Sequence, residues 1–334
     1  MPPLYVVEQG ARLRVDRRAL LVERPDGTRL ARVPLAHTNA VIVFGNVVLT
    51  LPAMKRLLAA GVDVVFLSQE GRYQGRLVGP LTRFGQLRQQ QYDLLRSQAV
   101  RLSLARQIVH GKCLNMRTLL QRYNRDLGRA EIAAAVNRLG TLAERARRTG
   151  NLNALRGVEG SASAAYFGVF RLLLKRDWAF EKRLRRPPPD PVNVLLSLGY
   201  TLLTRELEAA VAIVGLDPYI GALHDTEYGR PSLALDLVEE FRAIVVDSVV
   251  LACLNNEVIL PGDFSPGPPQ RPVILSEGGK RRFIQALEDR IMTTIRHPVT
   301  HETMTYRRAF EIQTRLLARC LREGRTDYQP FRVR

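Results

Sequence analysis

Val64 to Arg106 reads VVFLSQEGRYQGRLVGPLTRFGQLRQQQYDLLRSQAVRLSLAR, and the texture of the chain changes in the middle of it, at Gly79-Pro80. Before that point, Val64-Val65-Phe66-Leu67 is a short β-branched and aromatic run closed by a Gly71-Arg72 turn, the pattern of a strand. After it, apolar residues return at three- and four-residue spacings among arginines and glutamines, the pattern of an amphipathic helix. A boundary is therefore expected at 80/81, with a small, mostly β domain over 1–80 and a larger helical domain over 81–334. The fold class expected is α+β.

Towards the N-terminus, LYVVE, ARLRV, ALLVE, AVIVF, NVVLTL and DVVFL read as strands, parted by turn chemistry such as Pro25-Asp26-Gly27. Pro52–Leu58 interrupts them as one short helix before Gly61. Towards the C-terminus, helical patterning covers Phe84 to Arg125 and Ala130 to Arg148, and resumes at Leu152 after Thr149-Gly150-Asn151. Another helix follows Asn193 and stops at Gly215; two more are expected at Lys280–Arg296 and Met304–Arg322. Arg185–Pro191 is a rigid connector inside the helical part, Pro261–Pro272 is a loop, and the tail Tyr328–Arg332 is expected to be extended and mobile.

The 334 residues are 46% hydrophobic and 25% charged, which is globular and long enough for two cores. No window approaches the roughly 20 apolar residues of a membrane span. The opening MPPLYVVEQGARLRV lacks the basic-then-apolar pattern of a secretory signal, so no membrane association and a cytoplasmic location are expected. Cys113, Cys253 and Cys320 stand singly, without a CxxC pair, and read as small hydrophobes rather than disulfide or zinc partners.

The net charge of +18 is unevenly placed. Residues 1–80 carry 11 Lys+Arg against 6 Asp+Glu, residues 81–186 carry 22 against 7, and residues 187–334 carry 17 against 19. A basic middle of this kind attracts polyanions and binds phosphates by counterion release, so nucleic acid is the leading partner. Arg88, Arg96, Arg101, Arg106, Arg117, Arg122 and Arg125 recur along it as a helix laid on a phosphate backbone requires, although solvation of an outer helix face asks for the same pattern.

Chemistry is sought in Gly215–Val250, GLDPYIGALHDTEYGRPSLALDLVEEFRAIVVDSVV. His224 lies in a Gly/Pro-punctuated stretch, and Ser232 reads as the N-cap of the helix that follows. On that helix Asp236, Glu239 and Glu240 stand at i, i+3 and i+4 and share a face, opposite Leu235, Val238, Val245 and Val249. Charged groups in such an apolar setting need a cation. Glu159, in GVEGSASAAYF, is a further carboxylate among small residues. Carboxylates and an imidazole from separate elements make a hard-leaning site suited to Mg²⁺ or Mn²⁺; pairing with arginines is the plainer use of the same groups. His37, His110, His297 and His301 show no partner pattern, and Pro298 parts the last two. Trp178, Tyr166 and Phe180 could stack on bases or fill a core. Glu277-Gly278-Gly279-Lys280 lacks the context of a P-loop and reads as a turn before a helix.

Several ordered blocks together resemble a known family. They are Pro34-Leu35 followed by VIVFGNVVLT, VVFLSQEGRYQGRL, GVEGSASAAYF, PVNVLLSLGYTLL, GLDPYIGALH with GRPSLALDLVEEFR, and TYRRAFEIQTRLLARCL. The chain is similar over essentially its whole length to the CRISPR-associated spacer-acquisition endonuclease/integrase family, the first and near-universal CRISPR adaptation protein. The resemblance implies an N-terminal β-sandwich-like domain that serves dimerisation and partner contacts, joined to an all-helical catalytic, DNA-binding domain. It implies a homodimer that works with a small second CRISPR adaptation protein, captures short DNA fragments, and inserts them into a CRISPR array by 3′-OH transesterification. By position it implies Glu159, His224 and Glu239 as catalytic metal ligands for Mg²⁺ or Mn²⁺, Asp236 as auxiliary ligand or support, and Arg242 near the scissile phosphate. Arg230 is a further candidate for nucleic-acid contact. The sequence departs from the family at Ala243, where many relatives carry proline; alanine should let the helix continue. Glu240 is expected to be structural. Two other readings compete, a non-catalytic architectural DNA-binding protein and a general nuclease for branched DNA.

Overall fold

A computed structural model describes residues 3–38, 40–79 and 84–333. The chain divides into two compact units, Met1–Leu81 with Gly262–Pro266 and Ile274–Arg281, and Thr82–Pro261 with Gly267–Val273 and Arg282–Arg334. The junction expected at 80/81 lies outside the described residues. The first unit takes in two later segments that a boundary at 80/81 leaves with the helices.

The first unit contains strands β1 (Leu4–Val6), β2 (Arg12–Asp16), β3 (Ala19–Glu23), β4 (Arg29–Pro34), β5 (Ala40–Phe44) and β6 (Val48–Leu49). Helix α1 (Leu51–Ala59) and strands β7 (Asp63–Leu67) and β8 (Tyr73–Leu77) complete its N-terminal part. One sheet has the order β1-β5-β7-β8, parallel through β1, β5 and β7 with β8 antiparallel. The other has the order β4-β3-β2-β6, antiparallel except for β6 beside β2. Val6, Val41, Val43 and Val64 of the first sheet share one buried cluster with Leu13, Leu20, Val22 and Leu49 of the second and with Leu57 of α1. This is the sandwich-like arrangement of two sheets closing on one core. β4 and β8 escape a hydrophobic reading because RLARVP and YQGRL are polar and largely uncovered, as edge strands usually are.

The second unit is mostly helical: α2 (Gly85–Arg96), α3 (Gln98–Leu127), α4 (Ala130–Arg148), α5 (Leu152–Phe170), α6 (Pro191–Val214), α7 (Ser232–Arg242) and α8 (Ser248–Asn255). Further along the chain come strands β9 (Phe264–Pro266) and β10 (Val273–Leu275), which fall largely in the first unit, and helix α9 (Glu277–Ile291), which is divided between the two. Strands β11 (Thr294–Arg296) and β12 (Thr303–Thr305) and helix α10 (Tyr306–Arg322) belong to the second. The region after residue 81 is thus not all-helical, since β9 pairs with β10 and β11 with β12. The β-branched Thr293 and Thr294 end α9 early, and Thr305 caps α10 by accepting from the Arg308 amide at 3.3 Å. Asn151 and Asp190 cap α5 and α6 in the same way, each at 2.8 Å. Glu277–Lys280 forms the first turn of α9 rather than a turn before it.

Helix α7 is buried on nearly its whole circumference, so the face that carries Asp236, Glu239 and Glu240 is as enclosed as its apolar side. It packs against α3 and α6. Ala243 does let the chain continue, but through a π-turn at Ala243–Asp247 before α8 begins. Such wide turns cluster at functional sites because they re-aim the side chains around them. Among the described residues no helix is long and apolar enough to cross a membrane.

Candidate active site

His224 is placed by the residues that follow it in sequence. Pro231 rather than Ser232 occupies the N-cap of α7, and Ser232, its first residue, turns its hydroxyl back to the Asp225 carbonyl at 2.7 Å. One turn further on, the fully buried Asp236 accepts from three consecutive backbone amides of the loop, Ala222 at 2.5 Å and Leu223 and His224 at 3.0 Å each. Its Oδ1 also lies 2.7 Å from Nδ1 of His224. Gly221 makes this possible, because a Cβ there would stand 2.7 Å from Asp236 Oδ2. A carboxylate at Nδ1 keeps the proton on that nitrogen and leaves the Nε2 lone pair for a ligand, the arrangement found behind metal-binding histidines.

Two arginines of the basic middle clamp this loop from outside. Arg101 on α3 and Arg156 on α5 both pair with Asp225, at 3.0 and 2.6 Å, and donate to the carbonyls of Ala222 and Leu223. Arg106 binds the Thr149 carbonyl at 2.7 Å. Part of the arginine track on α3 therefore builds the fold. Arg122 and Arg125 on α3, and Arg138, Arg145, Arg147 and Arg148 on α4, remain exposed.

The two glutamates meet at a residue that sequence reasoning missed. Lys112 of α3, fully buried, places its Nζ on Oε1 of Glu159 and 2.6 Å from Oε2 of Glu239. Ser163 on α5 donates to the same Glu159 oxygen at 3.1 Å. Arg242 approaches Glu239 from its own helix at 3.1 Å. Burial pushes the Glu239 carboxyl up, but Arg242, Lys112 and His224 outweigh it and hold the group at about 2. A signal for Lys112 existed: only five of the 50 basic residues are lysine, and this one sits in the apolar stretch His110-Gly111-Lys112-Cys113. A compact ammonium on a flexible stem meets both carboxylates as a single point charge.

The donor set fits a hard divalent ion in chemistry, with two carboxylates sharing one cationic point and an imidazole steered by Asp236. Among the described residues, no group of three His, Cys, Asp or Glu side chains is close enough to enclose an ion as it stands. Asp236, engaged by four groups, suits support better than coordination.

Behind the site, the Arg242 guanidinium lies 4.3 Å from the centre of the Tyr200 ring. The Tyr200 hydroxyl donates to Asp247 at 2.5 Å and the Tyr166 hydroxyl at 2.9 Å. Burial pushes the Asp247 carboxyl up to about 6. Tyr166, Trp178 and Phe180 are all buried, so they fill the core and are not available to bases. Arg230 stands at the surface, paired with Glu227 at 2.7 Å.

Glu240 turns away from Glu239 to the C-terminal tail. Its oxygens accept from the Tyr328 hydroxyl and the Phe331 amide, each at 2.6 Å. Asn115 of α3 joins the two by donating to the carbonyls of Glu240 and Phe331 at 2.7 and 2.8 Å. The tail expected to be mobile is therefore fixed, with Tyr328 and Phe331 each 1% exposed. Gly111 lets it pass, since a Cβ there would meet Pro330 at 2.6 Å. Burial pushes the Glu240 carboxyl up to about 8. The remaining buried histidines are structural: His110 Nδ1 lies 3.0 Å from the Ala143 carbonyl, and burial drives His297 down to about 4 beside the Phe331 ring. Cys113 and Cys253 are buried, and desolvation pushes the Cys113 thiol up to about 12.

Comparison with known proteins adds four findings. A family model described as CRISPR associated protein Cas1 matches residues 4–289. A CRISPR-associated endonuclease Cas1 of Thermus thermophilus is 38% identical, over 99% of this chain and 97% of its own length. The solved structure of a Cas1 protein from Thermotoga maritima superposes with a TM-score of 0.81 at 26% identity, covering all of both chains. A chain of a solved Cas6-RT-Cas1–Cas2 complex matches with a TM-score of 0.85 at 27% identity, over 98% of this chain and 36% of that one.

Proposed function

This chain belongs to the CRISPR-associated Cas1 family, and from that membership we propose that it is a metal-dependent DNA integrase and endonuclease that inserts short fragments into a CRISPR array. The observation that carries the reading is the convergence of Glu159 and Glu239 on one buried cation, beside a histidine whose Nδ1 is engaged by Asp236. Glu159, His224 and Glu239 would hold Mg²⁺ or Mn²⁺. An ion bound there supplies polarisation of the phosphodiester and eases loss of the proton from an attacking hydroxyl.

The rest is work for the chain's own residues. Asp236 fixes the ring and loop position of His224, and Arg242 offsets negative charge around Glu239 and the phosphate. The exposed arginines of α3 and α4 hold the strand by its backbone, without regard to sequence. In the transfer, a DNA 3′-hydroxyl oxygen forms one bond to phosphorus as the bond to the displaced 3′-oxygen of the target strand breaks. One P–O bond replaces another, so no external energy source is needed. With water as the nucleophile, the same geometry gives nuclease activity. The β unit serves dimerisation and contact with a small second adaptation protein; a Cas1–Cas2 assembly of a similar chain supports that partner.

The test is insertion of 3′-OH DNA ends into a supercoiled array plasmid. Wild type with Mg²⁺ or Mn²⁺ should integrate, and Glu159→Ala, His224→Ala and chelator should each abolish it. Integration that survives Glu159→Ala sinks the assignment. Insertion without preference for the array leader, alongside cleavage of branched DNA, would favour a repair nuclease.

A further inference from the structure

Lys112 is not accounted for by this function. It is a fully buried ammonium whose two ion pairs go to Glu159 and Glu239, the two carboxylates proposed to hold the metal, and which come from different helices. Ammonium and divalent cation therefore claim the same oxygens. Two carboxylates drawn together without a cation repel strongly in a buried setting, so a site meant to stay formed while empty needs a resident positive charge. An ammonium on a flexible four-carbon stem can supply that charge and withdraw; a guanidinium forked onto both carboxylates would be harder to displace.

We propose that Lys112 is an internal placeholder for the divalent ion, a positioning residue that keeps Glu159 and Glu239 together in the metal-free protein and yields at least one carboxylate when the ion arrives. Metal binding is then an exchange of cations rather than the filling of a vacant cage. Affinity is lowered by the ammonium that must be displaced, and the empty site does not collapse or splay. The inference rests on the metal-site reading given above.

The experiment is Mn²⁺ titration of the full chain at one fixed pH, followed by the electron paramagnetic resonance of free Mn²⁺, with thermal unfolding in parallel. Lys112→Met removes the competing charge at similar length. It should bind Mn²⁺ about ten-fold more tightly than wild type, unfold at lower temperature without metal, and gain more from metal than wild type does. Lys112→Arg keeps a cation and gives a folded comparison if the methionine variant does not fold without metal. It should bind Mn²⁺ about ten-fold more weakly than wild type. Affinity for Lys112→Met equal to or weaker than that of wild type overturns the proposal, as does unchanged affinity for Lys112→Arg. Glu239→Gln separates the two levels: if it leaves Mn²⁺ binding intact, the metal-site reading fails, whereas lost binding there with indifferent Lys112 variants removes only the placeholder.

Discussion

Glu239 and Glu240 are neighbours on one buried helix, and the two regions they face treat a carboxylate in opposite ways. On the Glu239 side stand Lys112, Arg242 and His224, and the group is held ionised at about 2. On the Glu240 side stand a tyrosine hydroxyl and a backbone amide from the tail, and burial carries the group to about 8. Burial is common to both, so the difference lies in whether the surroundings bring positive charge, which Glu239 has and Glu240, with Asp236 pushing it up further, has not. A buried acid becomes available for a metal where cations already pay for its ionisation, and becomes a structural clasp where they do not.

The largest effect expected from this contrast is on activity. Glu239→Gln should lower integration on the order of a thousand-fold or more, the loss of several kcal/mol of charge stabilisation at the reacting phosphate. Glu240→Gln replaces a group that is largely uncharged at neutral pH with a neutral one of the same shape, and should stay within several-fold of wild type in the same assay. Comparable losses from the two variants would erase the distinction between the two sides of α7.

On the clasp side the currency is stability. Phe331→Ala removes a fully enclosed ring that stacks against Phe241 with centroids 4.8 Å apart. It should cost about 3–5 kcal/mol in denaturant unfolding, as other buried phenylalanines do. A loss below about 1 kcal/mol would mean that the tail is a loose strap after all.

Asp247, in the π-turn behind the Glu239 side, is a third buried acid and gives the contrast a pH signature. Its folded-state value of about 6 lies above the 3.8 of an ordinary aspartate, so the folded protein binds this proton more tightly than the unfolded chain. The stabilisation is complete below about pH 3.8 and is lost as pH rises through about 6. Asp247→Asn cannot show this, so its stability relative to wild type should rise by about 3 kcal/mol between pH 3.5 and pH 7. Unfolding curves for the two proteins that stay parallel across that range would show that folding leaves the Asp247 carboxyl at its ordinary value.

Much of this was legible in the sequence. The change of texture at Gly79-Pro80 announces two kinds of secondary structure, and the boundaries of α4 and α5 follow from caps and breaks that are local. Glu159, His224 and Glu239 stand out because charge in an apolar run is conspicuous. Lys112 did not stand out, since a lone cation among many on a long helix is ordinary until the fold buries it opposite two acids. The tail misled for the same reason: Tyr328-Gln329-Pro330-Phe331 has no periodicity, and its fixing depends on Asn115, Gln313 and Glu240, remote in sequence. The β11–β12 pair hid in residues expected to extend two helices, because three-residue strands carry too little alternation to register.

The smallest effect concerns the residue that aims the histidine on the Glu239 side. Asp236 accepts from three loop amides and faces His224 Nδ1, so Asp236→Asn leaves the geometry nearly filled while turning an amide N–H₂ towards donors. At least one backbone N–H then lacks an acceptor, a loss of about 1–3 kcal/mol, and the imidazole no longer has a carboxylate to fix its tautomer. Mn²⁺ affinity should fall about 10–100-fold, the usual penalty for removing the partner of a ligating histidine. The Glu240 side should not notice, so denaturant unfolding of Asp236→Asn should lose only the cost of the unmatched donor. Should Mn²⁺ bind the variant as it binds wild type, Asp236 holds the loop alone, and His224 is steered by the clamp of Arg101 and Arg156 instead.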